Sequence, residues 1–170
     1  VPQSLQDIGG AQQAHEHDAP QIVTVSNETG RENTMKEYPV TCFCGSPAHL
    51  HGNEKLYGKK YGIGFAYICD RFFEKPSACR GSVGVHPNGK PLGNIPDAQT
   101  KAMRMKLHAI IDPLWQNQSY TSRRKARGQV YAYLQKIMGM SAEECHIGNF
   151  SAEICLKAMV AVRETPYEER

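Results

Sequence analysis

Four cysteines in two groups constrain this chain more than any other residues. Cys42 and Cys44 lie in Thr41-Cys42-Phe43-Cys44-Gly45-Ser46-Pro47, and Cys69 and Cys79 follow about a hairpin later. Four thiolates converging from two turns make a soft tetrahedral cage. Zn²⁺ fills such a cage, and closing it supplies folding free energy to a segment too small for a core of its own. The glycine after Cys44 suits a metal-binding knuckle, where backbone N–H groups turn towards the sulfurs. The gaps are irregular, with one residue between Cys42 and Cys44 and nine between Cys69 and Cys79; a standard knuckle reads C-x-x-C. His51 or His86 can stand in for one of the four. The competing reading is buried metal-free thiols or a disulfide pair. Residues 1–34 carry neither the basic start nor the apolar run of a secretory signal. A reducing cytoplasm is therefore expected, where clustered cysteines more often bind metal or catalyse than pair as disulfides.

A length of 170 residues allows one ordinary domain, or a metal-stapled module joined to a second. No apolar run reaches membrane-spanning length, so no membrane partner is expected. The formal charge of +3 hides an asymmetry. Residues 1–34 hold five acids (Asp7, Glu16, Asp18, Glu28, Glu32) against Arg31, leaving 19 basic and 12 acidic residues on 35–170, a net of +7. A basic body invites an anionic partner, of which nucleic acid is the commonest.

Periodicity divides the chain into an α+β arrangement, with zinc-ribbon-like β hairpins packed on a unit of three to four helices. Residues 1–37 read as a disordered or loosely docked acidic arm, 38–93 as the ribbon, 94–162 as the helical unit and 163–170 as a flexible tail. Within the arm, His15-Glu16-His17-Asp18 is a solvated stretch or a minor metal site, and Met35 resembles a translation start. Strands are expected over 36–42, 48–51, 61–69 and 82–86, with a loop over 70–78. Pro96-Asp97 opens a helix with Met103, Leu107, Ile110, Ile111 and Leu114 on one face, which Pro113 kinks or ends near Asp112. Ser122 caps a second helix carrying Ala126, Val130, Tyr133, Leu134 and Ile137, stopped by Gly139. Ser141-Ala-Glu-Glu144 is a capping box, and Ser151 starts a last helix with Ile154, Ala158 and Val162.

Several stretches together resemble a zinc-finger-containing domain family of unknown function from bacteria and their phages. They are Cys42 to Pro47, Cys79-Arg-Gly-Ser-Val-Gly-Val-His86-Pro, Pro91-Leu92-Gly93 and Arg104…Leu107-His108…Asp112-Pro-Leu-Trp115. Ser122 to Ala126, Tyr131 to Leu134 and Glu144-Cys145-His146-Ile147-Gly148-Asn-Phe150 complete the set. The resemblance spans about residues 38–160. It implies zinc and a bacterial or phage-infected cytoplasm, and carries no activity with it. The family's usual C-x-x-C, its shorter second gap and its cysteine in place of Val85 mark where this chain departs from it.

Two constellations bear on function. Arg104, His108 and Asp112 follow one another at i, i+4 and i+8 and so share a helix face. With His86 from the ribbon and His146 from the turn after the capping box, they would suit acid–base or metal-assisted phosphodiester cleavage by a nuclease. The structural alternative makes His108–Asp112 a helix pair and the other histidines docking residues. Cys145 and Cys155 read as buried thiols, or with His146 as a second metal site. The second constellation is basic. Across residues 101–127, Lys101, Arg104, Lys106, Arg123, Arg124, Lys125 and Arg127 face one acid, Asp112. Lys55, Lys59, Lys60, Arg71, Lys75 and Arg80 add to them on the ribbon, interleaved with Tyr57, Tyr61, Phe72 and Phe73. Such a surface neutralises phosphates and stacks unpaired bases. The expectation is a structural-zinc protein, more a binder than an enzyme, of nucleic acid or a nucleic-acid-processing complex. A phage-encoded inhibitor of a host protein is a further alternative.

Overall fold

The N-terminal half forms two small antiparallel sheets, in which Pro47–Gly52 alternates buried and exposed positions and Phe65–Cys69 is buried throughout. The computed structural model describes residues 19–26, 32–117 and 122–168. In the first sheet β1 (Gln21–Ser26) pairs with β2 (Glu32–Glu37), Gln21 opposite Glu37 and Ser26 opposite Glu32. In the second, β3 (Val40–Thr41), β4 (Pro47–Gly52), β5 (Phe65–Cys69) and β6 (Ser82–Gly84) lie in sequential order as a meander. The register sets Ala48 opposite Cys69 and Ala66 opposite Gly84. Leu50, Phe65, Tyr67, Val85 and Ile95 form a ribbon core with Cys42, Cys69 and Cys79.

Of the two readings of the arm, disordered or loosely docked, the described strands Gln21–Ser26 and Glu32–Glu37 fit a docked segment. The β1–β2 hairpin is paired, and two hydrogen bonds tie it and the segment after it to the ribbon. Glu37 Oε1 accepts from the Leu50 N–H at 2.6 Å, and the hydroxyl of the fully buried Tyr67 accepts from the Tyr38 N–H at 2.7 Å. That hydroxyl donates onward to the Gly89 carbonyl at 3.0 Å, so one side chain joins β2's exit to the turn after His86. Val23 and Met35 pack against the ribbon core, apolar contacts too sparse to register as a period. The His15–Asp18 cluster lies outside the described residues.

Other boundaries shift for local reasons. Tyr61 to Gly64 is a turn rather than the start of β5, because Gly62 and Gly64 sit at φ +56° and +85°, where a strand cannot run. Asn53 fastens that turn, its side-chain amide donating to the Tyr61 carbonyl and its Oδ1 accepting from the Tyr61 N–H. A single helical turn, α1 (Glu54–Tyr57), precedes it. Helix α2 (Ala98–Gln116) runs through Pro113 instead of ending near Asp112. The proline forgoes one backbone bond, and Leu114 and Trp115 beyond it still reach the helical core. Ile110 is turned outward at 40% exposure, so the buried stripe of α2 is Arg104, Leu107 and Ile111.

Helix α3 (Arg123–Met138) buries Ala126, Val130 and Leu134, and α4 (Ala152–Glu164) buries Cys155, Ala158 and Val162. Asp97, Ser122 and Ser151 cap the three long helices through their side-chain oxygens. The capping box of Ser141 and Glu144 forms with both reciprocal bonds, at 2.9 and 3.2 Å, and leads into a 3₁₀ turn at Ile147–Asn149. Ribbon and helices meet where backbones nearly touch: a Cβ on Gly93 would lie 2.1 Å from the Gly148 carbonyl oxygen, and one on Gly148 2.3 Å from that of Leu92.

Candidate metal centre and the ribbon–helix cleft

The irregular cysteine gaps close because each is folded by its own turn. Between β3 and β4 the Cys42 N–H donates to the Ser46 carbonyl and the Gly45 N–H to the Cys42 carbonyl, both at 2.9 Å, so Cys42 and Cys44 leave one tight hairpin end. The nine residues after Cys69 start as a 3₁₀ turn, Asp70–Phe72, and return through the Ala78 N–H to the Arg71 carbonyl at 3.1 Å. Arg71 pairs with Glu74, Phe72 and Phe73 meet edge-on, and Lys55 and Arg80 lie over their faces. That packing delivers Cys79 back beside Cys42.

The four Sγ atoms all lie within 4.8 Å of one another. Cys42 to Cys79 is 3.7 Å and Cys44 to Cys69 is 3.5 Å. Tetrahedral zinc with bonds of about 2.3 Å requires sulfur–sulfur edges of about 3.8 Å, so the cage has the size the ion needs. A disulfide would need about 2 Å. The Gly81 N–H donates to the Cys79 sulfur at 3.3 Å, and a Cβ on Gly81 would stand 2.3 Å from the Cys42 sulfur. Cys42, Cys69 and Cys79 are buried, as a closed structural site demands. The thiols are also electrostatically unlike. Burial pushes Cys42 well above the ordinary thiol value and Cys69 up to about 11. Cys44 falls to about 6, chiefly because the Ser46 backbone N–H donates to it. Zinc neutralises this stack of buried thiolates and is the cofactor these residues fit. Neither histidine considered as a ligand joins the cage: His51 stacks on Phe73 at 4.7 Å, and His86 belongs to the cleft below.

The cleft lies between the ribbon's far end and the helices, with a volume of about 500 Å³. His86, Lys101, Arg104, His108, Arg127 and His146 all line it, together with Tyr57 and Tyr131, and among the described residues no carboxylate does. The ribbon contributes His86 from a turn closed by its own N–H to the Lys90 carbonyl at 2.8 Å. The His146 ring folds over the bare Cα of Gly148, where an added Cβ would meet its Cε1 at 2.9 Å. Burial first, then the charges of His86 and Arg127, press its imidazole pKa down. His108 reaches the cleft from α2. Its Nδ1 lies 3.3 Å from Asp112 Oδ1, which also accepts from the Trp115 indole N–H at 3.2 Å. Asp112 thus sits behind His108 and outside the lining.

Arg104 is only 9% exposed. Its Nε donates to the Phe150 carbonyl at 2.8 Å, Nη1 to the Asn94 carbonyl at 3.2 Å and Nη2 to Asn94 Oδ1 at 2.6 Å. All three partners are neutral, and no carboxylate pairs with it among the described residues. Arg127 lies over the rings of Trp115 at 5.8 Å and Tyr131 at 5.1 Å. Arg123, Arg124 and Lys125 occupy the exposed first turn of α3, outside the cleft. Lys59 and Lys60 are exposed between α1 and β5, beside Tyr57 and Tyr61, whose rings meet edge-on at 6.1 Å. Cys145 and Cys155 are buried in the helical core. Sequence reasoning overlooked Gly81, Asn94 and Tyr131. A glycine two residues after Cys79 was a readable signal for the first; the others act through long-range contacts that leave no local pattern.

A four-thiol cage at the end of a small antiparallel meander defines a zinc-binding ribbon, here backed by helices. The chain belongs to a zinc-finger-containing domain family, whose profile matches residues 38–165. No curated protein and no solved structure matches it. No described helix is long and apolar enough to cross a membrane.

Proposed function

We propose that this structural-zinc protein binds the phosphodiester backbone of nucleic acid in the ribbon–helix cleft, in a bacterial or phage-infected cytoplasm. One observation carries the reading: the Arg104 guanidinium is buried at the cleft with neutral partners alone. Burying a cation is costly, and desolvation depresses its pKa more than the nearby Asp97 carboxylate raises it through space. A phosphate in the cleft adds the negative charge that Asp97, which makes no hydrogen bond to Arg104, supplies only in part, with Lys101 and Arg127 beside it. Arg123, Arg124 and Lys125 support the same reading. Cations in the first turn of a helix oppose its dipole, so their placement costs stability that a bound anion recovers. Lys59 and Lys60 extend the basic path along the ribbon. Tyr57 lines the cleft and is 54% exposed, and Tyr61 is 72% exposed, offering faces to unpaired bases and favouring single strands.

Trp115 is the chain's single tryptophan and touches both Arg127 and Asp112, so its fluorescence reports on the cleft. Titration with single-stranded oligonucleotide is expected to change that emission, with affinity falling as salt rises. Arg127→Glu lowers affinity and reduces the slope against log salt by about one. Reversal of Arg123, Arg124 and Lys125 together lowers it further. Binding that ignores both the charge reversals and salt sinks the proposal and favours a protein partner.

A further inference from the structure

The imidazoles of the cleft remain unexplained by binding alone. Arginine and lysine hold phosphate without them, yet His86, His108 and His146 converge from three separate elements on one cavity. Among the described residues, the four cysteines are the one group of three or more metal donors gathered at ligand distance. The histidines of the cleft are not assembled as an ion cage, so what they offer a phosphodiester is proton transfer. One cleavage of a phosphodiester needs proton transfer alone, the attack of a ribose 2′-hydroxyl on its own phosphorus.

We infer that the cleft cleaves single-stranded RNA by transphosphorylation, with His146 as general base, His108 as general acid and Lys101, Arg104 and Arg127 holding the phosphoryl group. The inference rests on the binding reading above. His146 accepts the 2′-hydroxyl proton as that oxygen attacks phosphorus. The P–O2′ bond forms, the P–O5′ bond breaks, and His108 gives a proton to the departing 5′ oxygen. The products are a 2′,3′-cyclic phosphate and a 5′-hydroxyl. No electrons are transferred and no water is consumed, and the two imidazoles end with their protonation states exchanged.

The roles follow from the neighbours of each ring. Cations and burial surround His146, which keeps it neutral and able to accept a proton. His108 has a carboxylate at its back: Asp112 occupies Nδ1 and leaves Nε2 as the nitrogen that exchanges a proton with a ligand. The Trp115 N–H shares the same Asp112 oxygen and fixes it, which makes Asp112 a positioning residue. A cleft with no carboxylate among its described lining residues lets three cations concentrate on the extra charge that develops on the phosphoryl oxygens in the transition state.

The test uses the full-length, zinc-loaded protein with a uridine-rich single-stranded RNA and the same sequence in DNA, following Trp115 emission and product ends together. RNA is expected to yield 2′,3′-cyclic phosphate and 5′-hydroxyl ends, while DNA binds and stays intact. His108→Gln and His146→Asn each slow cleavage roughly 10²–10⁴-fold without changing zinc content or affinity. Asp112→Asn lowers kcat and leaves KM unchanged. RNA bound but uncleaved overturns the inference and leaves the binding reading standing. Products with 5′-phosphate ends overturn it too, as does cleavage undiminished in both histidine variants, which marks a contaminant. If neither RNA nor DNA binds, both readings fall.

Discussion

The ribbon and the helical unit bury cores of similar extent among the described residues, nine against ten, yet the two are made of different material. Three of the ribbon's nine are cysteines of the metal cage, and its strands β3 and β6 are only two and three residues long. The helical core is a continuous apolar set, Leu107, Ile111, Val130, Leu134, Ile147 and Phe150 among them, in which Cys145 and Cys155 act as small hydrophobes. Packing is therefore expected to hold the helices by itself, while the ribbon is expected to need, besides its smaller apolar set, the ion its sulfurs can hold. The cleft inherits both conditions, because His86 comes from the conditional half and His108 and His146 from the other.

Zinc removal breaks this comparison most forcefully. Structural zinc contributes on the order of 10 kcal/mol or more to folding, so chelation or Cys69→Ser is expected to melt the ribbon. Loss of metal from the purified protein, together with loss of tyrosine near-UV signal, reads the change. Far-UV helical signal persists if the two halves are separate; its simultaneous collapse shows one cooperative unit. A helical-core cavity is the next largest effect: Leu134→Ala costs about 2–5 kcal/mol in denaturant unfolding, with zinc still bound. The junction comes third. Gly93→Ala forces a methyl towards the Gly148 carbonyl, destabilising by roughly 1–3 kcal/mol and separating one thermal transition into two.

Where physics is local, the sequence was legible. The Ser122 cap, the helix starts at Asp97 and Ser151, the Gly139 stop and the capping box at Ser141 all appear as read, because each depends on residues within a few positions, and the cysteine quartet appears because its residue types announce it across a longer span. The composition of the cleft was half legible. Helical spacing placed Arg104, His108 and Asp112 on one face and paired His108 with Asp112, but only tertiary structure brings His86 and His146 to the same cavity and leaves Asp112 outside its lining. The β1–β2 hairpin was unreadable for the opposite reason. Its polar strands carry little periodicity, and its docking depends on single contacts such as Glu37 to Leu50 and Tyr67 to Tyr38. The helix does not end at Pro113, because Leu114 and Trp115 beyond it pack against the helical core, a tertiary contact that the local proline signal does not contain.

Acid provides the smallest and most selective probe of the comparison. In the helical unit, the Asp97 carboxylate is held below its ordinary value of 3.8 by the Thr100 N–H, and that of Glu144 below 4.5 by the Ser141 N–H. A carboxylate whose folded pKa is depressed stabilises the fold above its unfolded pKa, and that stability is lost as pH falls through the folded value. The helices should therefore weaken only below about pH 4.5, with Asp97→Ala and Glu144→Ala removing part of the slope. The ribbon answers to different groups. Its ligands bind as thiolates, and burial raises Cys42 and Cys69 although the Ser46 N–H lowers Cys44, so at those two sulfurs protons compete with zinc before they reach the helix caps. Acid titration followed by metal release and by far-UV signal is expected to show zinc leaving at the higher pH and helix loss following at the lower. Coincident transitions would mean that the helices lean on the ribbon through Arg104 and the Gly93–Gly148 contact more than on their own core.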